Sequence, residues 1–301
     1  MISWRCLVIY TLVILGLSNV STAQIGRLEN EFKISVPEED LEAVWEYVTT
    51  NFAKSNYNYG LHVLSGTTSI ETFIDTYYDT PDYLFVTEEV SLRHRKRYKD
   101  KLLLKQLIQY KIPHSDDKLT RIEMKFPVVK NENQNKLASR HSFLKHLSNA
   151  SKQKIEYQLA RYRVKPKALQ ESLTLYQVRQ RVYISDQQQE SIATITLDEV
   201  KNSAFPFQKF VELELELNEI RYTNATIEEK QLMDKLNADI KEALFSNFPS
   251  LALDQRSKYN KMRALMDSSA LTFSHDKIAW FLYGLIALLA SYFWIREQIT
   301  L

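Results

Sequence analysis

The sequence is short of the residues that build flexible loops and crosslinks. Five glycines and seven prolines among 301 residues are too few for low-complexity linkers, and no period of the kind that solenoids need is visible. Its one cysteine, Cys6, sits in an apolar N-terminal stretch, so the rest of the chain has neither a disulfide nor a thiolate nucleophile. His62, His94, His114, His141, His146 and His275 show no metal-ligand spacing and read as structural or surface residues. Net charge is also small. At +2 it gives no bulk argument for nucleic acid, and no such partner is expected. What is present, 45% hydrophobic and 25% charged residues, suffices for one compact unit with a full core.

Each end carries an apolar block. Met1 to Arg5 is a short positive segment, Cys6 to Leu17 is apolar, and Ser21-Thr22-Ala23 offers small residues for cleavage, so residues 1–23 are expected to be a secretory signal. Residues 278–295 lack charge over a length that spans a bilayer, with Trp280, Tyr283, Tyr292 and Trp294 towards the edges. A buried core helix is the alternative. A transmembrane helix there, after a linker at 268–277 and before a short tail at 296–301, makes the lipid bilayer a partner. It places the domain at 24–267 on the extracytoplasmic side of a membrane that the chain crosses once. Asn149-Ala150-Ser151 and Asn224-Ala225-Thr226 are glycosylation sequons if the host is eukaryotic.

Between the ends, strands alternate with a few helices. The spacing predicts a helix from Pro37 to Lys54, with acidic residues in its first turn and Leu41, Val44, Trp45, Val48 and Phe52 on one side. A second is expected from Ile227 to Phe248, capped by Thr226, and a weaker basic one from Lys136 to Leu147. The strands are less ordinary. Glu29, Glu31 and Lys33 share one face of a strand whose other face carries Phe32 and Ile34. Arg93, Arg95 and Arg97 line up likewise, as do Arg121, Glu123 and Lys125, Arg179 and Arg181, and Glu212, Glu214 and Glu216; Lys105 comes from a neighbouring strand.

One such strand is most simply a sheet edge wetted on its polar face. Five of them, acidic and basic, would form an enclosed cavity with carboxylates on one wall and guanidinium groups on another if they closed into a barrel. Hard cations such as Mg²⁺ or Mn²⁺ take oxygen ligands and keep several waters. Arginine forks grip phosphate oxygens in pairs, and lysine adds a compact charge. Phosphoryl transfer needs mainly positioning and neutralisation of charge, which this inventory supplies without a side-chain nucleophile.

In order along the chain, Glu29-Asn-Glu-Phe-Lys33, Tyr77-Tyr-Asp-Thr-Pro-Asp82, Ser91-Leu-Arg-His-Arg95, Lys105, Arg121-Ile-Glu123, Arg179-Gln-Arg181, Thr196-Leu-Asp198, Glu212-Leu-Glu214 and Ser257-Lys-Tyr259 resemble the CYTH proteins, or triphosphate tunnel metalloenzymes. The resemblance covers about residues 26–265. It implies an α+β fold built on a closed antiparallel β-barrel of about eight strands with flanking helices. It also implies that Glu29, Glu31, Glu123, Glu212 and Glu214 lie near Mg²⁺ or Mn²⁺, with Glu29, Glu31 and Lys33 at the catalytic centre. Lys33, Arg93, Arg95, Lys105, Arg121, Arg179, Arg181 and Lys258 would hold phosphate. Asp198 would assist water, or else be a turn residue at a strand end; Asp79 and Asp82 read as turn residues beside Pro81.

Lys125 departs from the pattern, standing where many tunnel enzymes have a further acidic residue. The Tyr-Tyr-Asp-Thr turn, Arg-x-Arg, Glu-x-Lys and Ser-Lys-Tyr also resemble VTC-type polyphosphate polymerases. The resemblance therefore implies hydrolysis of a triphosphate or inorganic polyphosphate by metal-activated water. The alternatives are a polyphosphate polymerase and a non-catalytic polyphosphate- or nucleotide-binding module.

Overall fold

The computed structural model describes residues 26–114, 120–128, 144 and 147–272. The expected signal at 1–23, the linker and membrane helix at 268–295 beyond residue 272, and nearly all of the expected helix from Lys136 to Leu147 lie outside these residues. Among the described residues no helix is long and apolar enough to cross a membrane.

Ten strands make up the sheet: β1 (Arg27–Val36), β2 (Tyr57–Tyr59), β3 (His62–Asp79), β4 (Ser91–Lys99), β5 (Leu102–Pro113), β6 (Thr120–Pro127), β7 (Gln170–Ser185), β8 (Ser191–Asn202), β9 (Lys209–Leu217) and β10 (Ala252–Leu253). The helices are α1 (Leu41–Phe52), α2 (Leu84–Thr87), α3 (Asn149–Arg161), α4 (Glu219–Asn224), α5 (Ile227–Asn247) and α6 (Lys258–Thr272). The expected Pro37–Lys54 helix is a single 3-10 turn at Glu38–Asp40 followed by α1. Thr226 does cap α5, its side chain accepting from Glu229 N. α3 was not anticipated: it begins at Asn149, inside a sequon, with Ser148 as its cap.

All pairings are antiparallel, and the strands run in the order β10-β1-β6-β5-β4-β3-β7-β8-β9, with β2 on β3 and a further pairing of β1 with β9. β1 divides its length between the two ends of the sheet. Arg27 to Asn30 pair with Glu123 to Thr120 of β6, whereas Glu31 to Val36 pair with Glu216 to Val211 of β9. The expected closed barrel is thus corrected to a strongly curled sheet without a full-length seam, because β6 and β9 are staggered along β1 and never face each other across the same residues.

Side-chain alternation makes this sheet charged inside and apolar outside. Ile34, Val182, Ile184, Ile195, Leu197, Leu213 and Leu215 point outwards, where Val44 and Val48 of α1 and Met233, Leu236, Ile240 and Leu244 of α5 cover them. On the opposite flank Leu92, Ile108, Tyr110, Ile112 and Phe126 lie under α2 and α3 with Phe85, Ile155 and Leu159. Each such residue, fully buried, contributes about 1.5–3 kcal/mol. That outer shell is what stabilises a sheet with a charged interior. α1 approaches so closely that a Cβ on Gly66 would meet Phe52 O at 1.7 Å, and Gly66 N donates to Lys54 O at 2.7 Å.

Candidate functional site

The inner faces of seven strands and the first turn of α6 enclose a cavity of about 290 Å³. Twelve lysines and arginines line it with five glutamates, and Glu71, Asp75 and Asp198 behind the arginines offset part of that positive surplus.

The basic wall is held from behind by β3, which lies between β4 and β7. Asp75, wholly buried, accepts from Arg95 Nε and Nη2 at 2.7 and 2.6 Å and from Arg93 Nη1 at 3.2 Å. Glu71 holds Arg97 and, at 2.5 Å, Arg181. Arg179 pairs with Asp198 and, at 2.8 Å, with Glu214. Phe73, on the same face of β3 as Glu71 and Asp75, lies 4.6, 5.5 and 5.6 Å from the guanidinium carbons of Arg95, Arg179 and Arg181. These contacts fix the planes of the guanidinium groups before any ligand arrives. Burial alone would raise the Asp75 pKa, but Arg93 and Arg95 outweigh it and bring it down to about 2.

The acidic wall is organised around Lys111. Its ammonium lies 2.5 Å from Glu29 Oε2, 2.9 Å from Glu31 Oε1 and 3.8 Å from Glu123 Oε1. Burial opposes the charge, yet Glu29, Glu31 and Glu123 hold the Lys111 pKa well above its ordinary value. Lys33 reaches Glu31 Oε2 at 2.7 Å, and Lys125 touches Glu123 and comes to 3.5 Å from Glu29. Burial lifts the Glu29 carboxyl well above the usual range, whereas Glu31, although buried, is drawn well below it by Lys111 and Lys33. Glu216, pushed up by burial and by the charge of Glu31, reaches about 7.

A third group seats α6 on the sheet. Lys258 Nζ lies 2.5 Å from Glu212, 2.6 Å from Glu214 and 2.9 Å from Asp198, and Lys261 holds the other Glu212 oxygen. Tyr259 OH donates to Asp79 at 2.9 Å, and its ring stacks on Tyr77 with centroids 4.8 Å apart.

Lys33, Arg93, Arg95, Lys105, Arg121, Arg179, Arg181 and Lys258 all line the cavity, as do Glu29, Glu31, Glu123 and Glu214. Glu212 does not. It is fully buried, with Lys258 and Lys261 on its oxygens, and brings an oxygen within 4.8 Å of Asp198 and Glu214. Lys105 stands at the exposed rim, and Arg121 Nη1 is turned to Glu89 O at 3.0 Å. Asp198 is no turn residue: it sits within β8, wholly buried, accepting from Arg179 and Gln177. Asp79 ends β3 and accepts from Thr80 N and Phe85 N, a structural role like the one expected.

Sequence reasoning passed over Lys111, Glu71, Asp75 and Gln109, and it placed Glu216 on the charged face of its strand without giving it a role. Gln109 accepts from Arg93 Nε at 3.0 Å and donates to Glu123 at 2.8 Å, so it ties the basic wall to the acidic one. The signal was parity: Gln109 and Lys111 share the face of Lys105, and Glu71 and Asp75 share the face of Phe73 and Tyr77.

Two carboxylate triads test for a metal. Glu29, Glu31 and Glu216 each bring an oxygen within 4.8 Å of the others, with the Lys111 ammonium against Glu29 Oε2 and Glu31 Oε1. This oxygen-only set at the cavity fits a hard divalent cation. Asp198, Glu212 and Glu214 are as close, and Arg179, Lys258 and Lys261 contact their oxygens.

A profile of the CYTH domain matches residues 27–241, more than half of the chain. The chain belongs to the CYTH family. No curated protein sequence matches this CYTH chain. Solved structures similar to it include the PH1819 protein from Pyrococcus horikoshii OT3, at 20% identity and a TM-score of 0.42, covering 78% of this chain and 98% of that one. HpAC1 from Hippeastrum, reported with a dominant triphosphatase activity, is 13% identical with a TM-score of 0.48, covering 78% and 95%. The RNA triphosphatase Pct1 of S. pombe is 13% identical with a TM-score of 0.39, covering 81% and 93%.

Proposed function

We propose that this CYTH domain hydrolyses a phosphoanhydride bond in a triphosphate or inorganic polyphosphate. The observation that carries the reading is the cavity in which arginines held by Asp75, Glu71 and Asp198 face the Glu29, Glu31 and Glu216 triad. Fixed guanidinium groups place phosphate oxygens without reorganising, which is where catalytic electrostatics is strongest.

Arg93, Arg95, Arg179 and Arg181 would bind the chain of phosphates, with Lys33 and Lys258 near its reacting end. Mg²⁺ or Mn²⁺, held by Glu29, Glu31 and Glu216, would neutralise phosphate charge and lower the pKa of bound water. Glu31, kept ionised by Lys111 and Lys33, can accept a hydrogen bond from the attacking water, which no side-chain nucleophile replaces. Gln109, hydrogen-bonded to both Arg93 and Glu123, keeps the acidic wall in register with the basic one.

One observation favours a second reading, a binding module without turnover: Lys125 contacts Glu123 and lies near Glu29, where a catalytic metal set would place another carboxylate. A substrate panel separates the readings. Orthophosphate released from tripolyphosphate, polyphosphate or nucleoside triphosphates with Mg²⁺ or Mn²⁺ supports hydrolysis. Binding without turnover supports the module, and ATP-dependent growth of long phosphate chains supports a polymerase.

The same proposal includes a single-pass membrane placement, with residues 1–23 as export signal and 278–295 as the span. Reporters fused after Asp267 and after Leu301 should then be active on opposite sides of the membrane.

A further inference from the structure

The hairpin joining β4 to β5 runs past the rim of the sheet. Along a strand with one buried face, every second side chain should be covered. Here Leu102, Leu103 and Leu104 are instead 70%, 41% and 48% exposed, three in succession, and Ile70 is 62% exposed. Ile70 lies two residues beyond the Thr72–Tyr98 pair in the direction of the hairpin tip, with β4 between it and the leucines. Isolated surface leucines are unremarkable, but consecutive ones at a projecting tip form a patch that water does not favour.

Charge tells what covers it. Around the leucines stand Lys96, Arg97, Lys99, Lys101 and Lys105, against a single carboxylate, Asp100, in residues 96–105. Asp100 and Lys101 form the turn itself, both with left-handed backbone (φ 50° and 65°), so Lys99 and Lys101 are carried at the very tip. Apolar residues ringed by lysines match an interface that is greasy within and negative at its surface. A protein groove able to take the leucines would be expected to bring specific hydrogen-bonding groups, and the tip has little besides ammonium groups to offer them.

We propose that the β4–β5 hairpin is a membrane-surface anchor, inserting Leu102 to Leu104 among the acyl chains of an anionic bilayer while the surrounding lysines contact lipid headgroups. Arg97 and Lys105 also line the cavity, so this mode of docking turns one mouth of the phosphate site towards the lipid. The inference does not depend on hydrolysis or on what residues 278–295 do.

The test uses the full chain with Cys6→Ser and Leu103→Cys, carrying a polarity-sensitive fluorophore at position 103, and a matched protein labelled through Gln153→Cys on exposed α3. Both are mixed with vesicles of phosphatidylcholine alone or with added phosphatidylserine. A blue shift at position 103 with phosphatidylserine vesicles, absent at position 153 and lost with Lys99→Glu plus Lys101→Glu, is the expected result. No shift at position 103 with either vesicle overturns the proposal and leaves the patch to a protein partner. An equal shift with phosphatidylcholine alone overturns the role of the lysines in choosing the surface.

Discussion

Arg95 grips Asp75 through two parallel hydrogen bonds of 2.7 and 2.6 Å inside a sheet whose outer face carries the hydrophobic core. The pair is buried and charged, and Arg93 leans on the same carboxylate. Removing the carboxylate leaves two desolvated guanidinium groups uncompensated, an effect far larger than the loss of a surface ion pair. Asp75→Asn should therefore lower unfolding free energy by about 3 kcal/mol, read as a lower urea midpoint. Added tripolyphosphate should recover more of the midpoint in the variant than in the wild type, because the anion restores the missing negative charge.

Acid should find the same pair. The folded pKa of Asp75, about 2, lies below its ordinary 3.8, so its contribution is fully present above 3.8 and is lost as pH falls towards 2. The depression corresponds to about 2 kcal/mol. Stability measured between pH 5 and pH 2 should fall less steeply in Asp75→Asn than in the wild type, and an unchanged slope would show that the arginines do not act on this carboxylate.

Glu216 should work in the opposite sense. Its folded pKa, near 7, is raised above the ordinary 4.5 by burial and by Glu31. The folded protein then binds more protons than the unfolded chain between these values, and stability declines as pH rises from 4.5 to 7. Without divalent cation, Glu216→Gln should flatten that decline, as followed by thermal melts across the range.

Lys125 bears on metal binding. With its ammonium against Glu123 and near Glu29, it competes with a cation for the acidic wall. Lys125→Glu should tighten Mn²⁺ binding by about tenfold or more, equal to ~1.4 kcal/mol, as measured by titration calorimetry. Lys125→Ala should have a smaller effect of the same sign.

Lys111 and Lys105 separate a buried charge from a rim charge. Lys111 contacts Glu29 and Glu31, while Lys105 is exposed at the mouth. Lys111→Met should cost about a hundredfold in kcat/KM, on the scale of losing one preorganised donor. Lys105→Met should cost less than about tenfold, chiefly through KM.

How far the sequence could be read follows from the same geometry. β1, β4, β6 and β9 announce themselves because their alternation pits charge against Leu, Ile, Val or Phe, and a one-residue slip would bury the charge among the helices. β3 is quieter. In Ile70-Glu-Thr-Phe-Ile-Asp-Thr-Tyr77 the outward positions are two isoleucines and two threonines, and the inward ones mix Glu71 and Asp75 with Phe73 and Tyr77, so neither face looks uniform. The carboxylates that hold the arginines were missed for that reason. Glu212 shares the parity of Glu214, but α6 arrives from far along the chain to cover it with Lys258 and Lys261. Local pattern fixes which face a residue takes; only tertiary packing decides whether that face is still open.

The most direct test of the central claim is orthophosphate release from tripolyphosphate by the purified chain with Mg²⁺ or Mn²⁺, beside Glu31→Gln. The account predicts steady release by the wild type, and loss of release with retained tripolyphosphate binding in Glu31→Gln, since the arginine wall is left intact. No release by the wild type, or equal release by both proteins, would contradict it.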